Sequence, residues 1–112
     1  MNYAVLILPE AEDSIFRAAE WWAKTHSPQQ AQRWFEGIYA AIETLEQQPQ
    51  RCPLAREHGF FPIELRELHY GIGIRITHRA IFTIREDRVL VLSIRHVAQE
   101  DLQLDDLGFP LS

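Results

Sequence analysis

From Tyr3 to Leu8 the chain reads YAVLIL, an unbroken apolar run that stops at Pro9 and predicts a short first strand. From Glu10 onward the period changes. Ala11, Ile15, Ala18, Ala19 and Trp22 fall on one side of a helix, and Glu10, Glu12 and Asp13 crowd its first turn, where the helix dipole favours negative charge. The stretch THSPQQ interrupts that helix: Ser27 can cap, Pro28 suits a first helical position, and Gln30 stands where a capping box takes Glu or Gln. A second helix therefore starts there, with Ala31, Trp34, Phe35, Ile38, Ala41, Ile42 and Leu45 on one face. It ends before Pro49, because proline disfavours helical geometry in the residue ahead of it. Two helices joined by so short a link pack as an antiparallel hairpin.

Residues 49–63 hold three prolines and a glycine with no sustained period, and they read as a loop leading back to a sheet. Its apolar Leu54, Phe60, Phe61 and Ile63 are expected to pin it to the core. Three candidate strands follow: ELRELHY (64–70), ITHRAIFTIR (76–85) and RVLVLSIRH (88–96). Gly71 and Gly73 mark the first turn and Glu86-Asp87 the second. Residues 99–112 are acidic, with Leu102, Leu104 and Leu107, and read as a short terminal helix or a tail.

The order strand, helix, helix, strand, strand, strand predicts an α+β fold, with a helical hairpin on one face of a small, mainly antiparallel sheet whose other face is left wholly or partly exposed. A two-residue turn at Glu86-Asp87 places Arg95 opposite His78 and Ile94 opposite Arg79, and a slip of one residue would exchange the faces. In either register His78, Arg79, Arg95 and His96 meet at one end of the sheet, with Arg66 and His69 on the adjoining strand. Basic side chains from three strands are thus expected to converge where the strand RVLVLSIRH ends.

Composition narrows the class. A chain of 112 residues with 46% apolar and 24% charged residues is ordinary for one small globular domain, 1–112. Its net charge of −5 argues weakly against non-specific nucleic-acid binding, although residues 60–99 alone carry +2 and the remainder −7. Cys52 is the one cysteine, so no internal disulfide forms, no zinc-ligand spacing is present, and a reducing, cytoplasmic setting is the default. The N-terminal run lacks a basic leader and a small-residue cleavage site, and no stretch approaches the roughly 20 apolar residues of a membrane span. No cofactor or metal is implied.

Four segments in this order carry a resemblance: PEAEDSIFRAAEWW, AQRWFEGIYAAIETLEQQPQRCPLARE, LRELHYG and HRAIFTIREDRVLVLSIRHVAQ. Over about Tyr3 to Gln99 the chain resembles the RelE/ParE superfamily of bacterial type II toxin–antitoxin toxins, and within it the proteins labelled plasmid stabilisation toxins. The resemblance implies a small toxin neutralised by a cognate antitoxin whose C-terminal segment wraps around it, in a hetero-oligomer that can be larger than one pair.

Two toxic mechanisms occur in that superfamily. RelE-like members cleave messenger RNA on the ribosome without a metal, using clustered basic residues to activate the ribose hydroxyl, stabilise phosphorane-like charge and protonate the leaving oxygen. By position, Arg66 matches the first basic residue of the second strand and Arg79 the arginine of the third, with His78 and His96 as candidate proton-transfer groups. The next basic position holds Leu68, beside His69, and Val97-Ala98 stand where that branch has an arginine. The tail offers neither its tyrosine nor its basic residue. ParE-like members inhibit DNA gyrase and lack the nuclease set, as this chain does, so gyrase inhibition is the favoured expectation, mRNA cleavage the alternative, and a non-toxic binding module a second alternative. Arg95, His96, His69 and Tyr70 are the candidate partner-binding residues.

Other features have plainer roles. Trp21, Trp22 and Trp34 sit on or beside the helical apolar faces and are expected to pack there, Tyr39 is a polar-tipped core residue, and Glu43 and Glu46 belong to a solvated face. The GIG at 71–73 is a turn, since no helix follows it as a phosphate loop requires.

Overall fold

The computed structural model describes residues 2–107, so the last five positions of the tail lie outside the described residues. Strand β1 spans Ala4–Ile7, helices α1 and α2 span Pro9–Thr25 and Pro28–Glu43, and strands β2, β3 and β4 span Arg66–Tyr70, His78–Arg85 and Arg88–His96. The order is the expected one. At the helix link the Ser27 hydroxyl accepts from the Gln30 N–H at 3.1 Å, with Pro28 at the first helical position. Helix α2 ends at Glu43, earlier than expected, and Leu45 sits on a separate helical turn, Thr44–Glu46.

The sheet order is β1-β4-β3-β2. The β2–β3 and β3–β4 pairs are antiparallel, as short turns require, but β1 lies parallel to β4, from Ala4 opposite Arg88 to Ile7 opposite Val91. The sheet is therefore mixed. The connection from β1 to the other strands runs through a helical hairpin, which is long enough to bring the chain back in either sense.

Apolar spacing decides the helix-facing core. Ile15, Trp34, Ile38, Ile42, Ala80, Phe82, Val89 and Val91 form one cluster between hairpin and sheet. Trp34 is wholly buried and Trp22 nearly so, whereas Trp21 is 48% exposed. The far face of the sheet, expected to be wholly or partly exposed, is covered. Leu65, Ile81 and Leu92 pack there against Ala55 from the 49–63 loop and Leu102 from the C-terminal segment. The described part of that segment includes a single helical turn, Leu104–Leu107.

The loop is also more ordered than its composition suggests. It contains helical turns at Pro49–Arg51 and His58–Phe60, and it runs along the outer edge of β2, where the Ala55 N–H donates to the Leu65 carbonyl at 2.8 Å and the Glu67 N–H to the Pro53 carbonyl at 3.0 Å. Phe61 and Ile63 pack on the second core as expected, but Phe60 is 79% exposed and Leu54 47%. Backbone pairing of Pro53 and Ala55 with the edge strand fixes the loop, so these two side chains are not needed as pins.

The β3–β4 register departs from the simple hairpin. Arg85 opposite Arg88 through Phe82 opposite Val91 follow it, but a bulge at Ile81/Phe82 inserts Leu92, after which His78 faces His96 and Arg79 faces Arg95. Among the described residues no helix is long and apolar enough to cross a membrane.

Candidate functional site

The bulge sorts the candidate residues. Side chains alternate across a strand, and directly paired residues share a face. Tyr70, His78 and His96 are thereby aligned on the helix side, since Tyr70 pairs with His78 and His78 with His96. His69, Arg79 and Arg95 are aligned on the opposite side by the same reasoning. The sequence places all of them at one end of the sheet, and the structure agrees, but it separates them into two groups divided by the sheet itself.

On the helix side the group is aromatic. His78 is buried, with its ring 4.9 Å from Trp34 and 5.2 Å from His96, each edge to face. Burial pushes the His78 imidazole down to about 4, with the neighbouring His96 adding to the effect, so it is neutral at neutral pH. Thr77 Oγ1 lies 2.8 Å from its Nδ1. The exposed His96 accepts at Nδ1 from the Ala98 N–H at 3.0 Å. Tyr70 reaches α2, where its hydroxyl donates to the Trp34 carbonyl at 3.4 Å.

On the opposite side the group is ionic. Arg79, 1% exposed, donates through Nη1 to Glu57 Oε1 at 2.7 Å and through Nη2 to Glu57 Oε2 at 2.5 Å. Nη1 also reaches Glu67 Oε1 at 3.1 Å, and Glu67 Oε2 in turn meets His69 Nε2 at 2.6 Å. Burial alone would raise the Glu57 carboxyl. The Arg79 guanidinium and the Leu102 N–H, which donates at 2.8 Å, outweigh it and hold that carboxyl below its usual range. With its fork already filled by a carboxylate, Arg79 cannot grip a phosphate in the same bidentate way without giving up Glu57.

Arg95 differs. It is 9% exposed, its Nε donates to the Glu100 carbonyl at 2.9 Å, and among the described residues no carboxylate forms a salt bridge with it. Arg66 belongs to neither group. It pairs with Glu64 at 3.1 Å and donates to the carbonyls of Gln50 and Cys52, so it staples the loop to β2. The expected convergence of basic residues from three strands therefore does not occur: one arginine is neutralised in the second core, one holds a loop, and one faces a cavity.

That cavity, of about 430 Å³, lies between α1 and the edge of β4 beyond its pairing with β1, where residues of both sheet faces meet, with Glu10, Arg17 and Trp21 on one side and His78, Arg95 and His96 on the other. Among the described residues no group of metal-ligating side chains is present. Sequence reasoning missed Glu57 and Ser14. Glu57 lies in a loop without period, where no pattern flags a buried acid. Ser14, on the apolar stripe of α1, accepts the Ile94 N–H at 2.9 Å and so closes the edge of β4 beyond the end of β1. Glu67 was legible in principle, because strict alternation puts it on the same side as the buried Leu65.

Solved structures that share this architecture include two from toxin–antitoxin systems. A chain of the chromosomal ParDE toxin–antitoxin system from P. aeruginosa superposes with a TM-score of 0.68 at 17% identity, covering 85% of this chain and 96% of the other. A chain of the RelBE2 toxin–antitoxin complex from Mycobacterium tuberculosis gives a TM-score of 0.51 at 19% identity, with 86% and 99% covered. At such identities the likeness is one of fold. No curated protein sequence matches the chain. The family model for the ParE toxin of the type II toxin–antitoxin system parDE matches residues 5–101, nearly the whole of the sheet-and-hairpin unit described above. The chain belongs to the ParE toxin family of type II toxin–antitoxin systems.

Proposed function

We propose that this ParE-family toxin arrests growth by binding DNA gyrase, without cleaving RNA, and that a cognate antitoxin neutralises it in the cytoplasm. The observation that carries this reading is the Glu57–Arg79 pair. Metal-free RNA cleavage needs cations free to meet a developing phosphorane, and the arginine best placed by family position is buried and gripped by a carboxylate. The far face of the sheet is likewise covered by the loop and the C-terminal segment. His78, the other buried candidate for proton transfer, is a weak base at a depressed pKa. Binding to a protein target makes none of these demands.

The test is induction of the gene alone in a bacterium carrying a DNA-damage reporter, together with a supercoiling assay using purified protein and gyrase. Arrest with the reporter on, and inhibited supercoiling, is the expected result. Arrest with a silent reporter and cleaved messenger RNA would replace this reading with the RelE-like one. Unimpeded growth with inert protein would leave a non-toxic binding module.

A further inference from the structure

We propose that the cavity between α1 and the end of β4 is a recognition pocket for a large apolar side chain adjoining a carboxylate, presented by an acidic protein segment. Three observations converge on it. The first is Arg95. Arg79 directly across the ladder is matched by two acids; Arg95 has one backbone carbonyl at its Nε, and its two terminal nitrogens, which are not fully buried, have no hydrogen-bond partner among the described residues. It lines the cavity, so the absent acid has a place from which to approach.

The second is Trp21. It stands 48% exposed on the cavity wall beside Ala18, and Phe16, 52% exposed, lies on the same helix. An indole half out of water beside an apolar cavity is the kind of surface that a partner's side chain covers. The volume of about 430 Å³ is within the range of roughly 300–1,000 Å³ that holds small ligands or anchoring side chains.

The third is charge balance. Glu10 on the rim is already met by Arg17 at 3.4 Å, and His78 is neutral, which leaves Arg95 as the surplus charge, with exposed His96 beside it. The rest of the molecule is acidic, at −5 overall, so an acidic segment is repelled by most of the surface and has this cavity as its favourable seat. The partner rests on the antitoxin reading above; the pocket itself does not.

The experiment separates the two. Phenylacetate and phenylacetamide are titrated into the purified full-length protein while the indole and guanidinium resonances are followed by NMR. Phenylacetate should shift Trp21 and Arg95, the amide should bind about tenfold more weakly or worse, and Arg95→Gln should remove that difference. Trp21→Ala, at an exposed position, should weaken both ligands while the thermal transition stays put. Equal binding of acid and amide, no shift at Trp21, or competition by inorganic phosphate as effective as phenylacetate would overturn the pocket. In cells, Trp21→Ala should keep growth arrest but need more antitoxin, encoded by the adjoining gene, for rescue. Unaltered rescue would remove the antitoxin as occupant, whereas failure of that protein to rescue even the wild type would sink the toxin–antitoxin pairing and leave the pocket intact.

Discussion

Arg79 and Arg95 stand directly opposite each other across β3 and β4, yet only Arg79 is held by carboxylates. Like charges facing across an antiparallel pair repel. Here the repulsion is reduced from one side only, by Glu57 reaching in from the loop and Glu67 from β2. Glu57 also accepts the Leu102 N–H, so a single carboxylate ties together loop, sheet and C-terminal segment. The same arrangement that neutralises one arginine fixes the segment that follows the other.

Removing one member of that pair should be costly. Glu57→Gln keeps the size but leaves the Arg79 charge buried without its main partner, a situation that typically costs about 3–5 kcal/mol. Urea unfolding should show a loss of that order, and Arg79→Met combined with Glu57→Leu should recover much of it, because the uncompensated charge is gone. A Glu57→Gln variant as stable as the wild type would mean that the pair contributes nothing to the fold.

The periodic parts of this architecture were legible because period is a local property. The α1 and α2 stripes, the Ser27 cap and the β3 and β4 strands follow from residues within a turn or two of one another. What was not legible depends on contacts distant in sequence. The inserted Leu92 shifts the register, and nothing in LVLSI distinguishes a bulge from an even strand. Glu57 gains its meaning only when the loop folds onto β2. The sequence therefore located the end of the sheet where the candidate residues gather, but not that Arg79 would be neutralised and Arg95 left facing a cavity.

Leu102 tests whether the C-terminal segment is part of the second core. It is 2% exposed against Leu65, Ile81 and Leu92. Leu102→Ala should cost about 2–5 kcal/mol, the usual range for a buried leucine. A change near zero would show that the segment rests on the sheet without stabilising it.

Gly37 in α2 is required by Tyr70. A Cβ at this position would lie 1.8 Å from the Tyr70 hydroxyl and 2.8 Å from its Cζ. Helix propensity alone would make alanine better by about 1 kcal/mol, so the sign of the effect reports the clash. Gly37→Ala should lower the thermal midpoint. Tyr70→Phe should restore part of it and not all, since the ring carbon stays too close. A raised midpoint in the single variant would mean that Tyr70 can swing away from α2 freely.

His78 should make the fold sensitive to mild acid. Its ring meets Trp34 from α2 and His96 from β4, neither of which supplies a negative charge, and the residue before β3 contributes the Thr77 hydroxyl. The folded imidazole titrates near 4, against 6.5 for an ordinary one. Between those values the unfolded chain binds the proton and the folded chain does not, so stability is fully present above the upper value and falls as pH drops through the window. The whole shift corresponds to about 3 kcal/mol, from about 1.4 kcal/mol per unit. Glu57, held below its usual range, acts in the same direction but lower, its stabilisation being lost as pH falls below 4.5 toward its folded value. His78→Phe keeps a ring against Trp34 and removes the proton. Urea midpoints measured from pH 7 to 5 should therefore slope downward in the wild type and run nearly flat in the variant, whereas parallel curves would place the acid-sensitive group elsewhere.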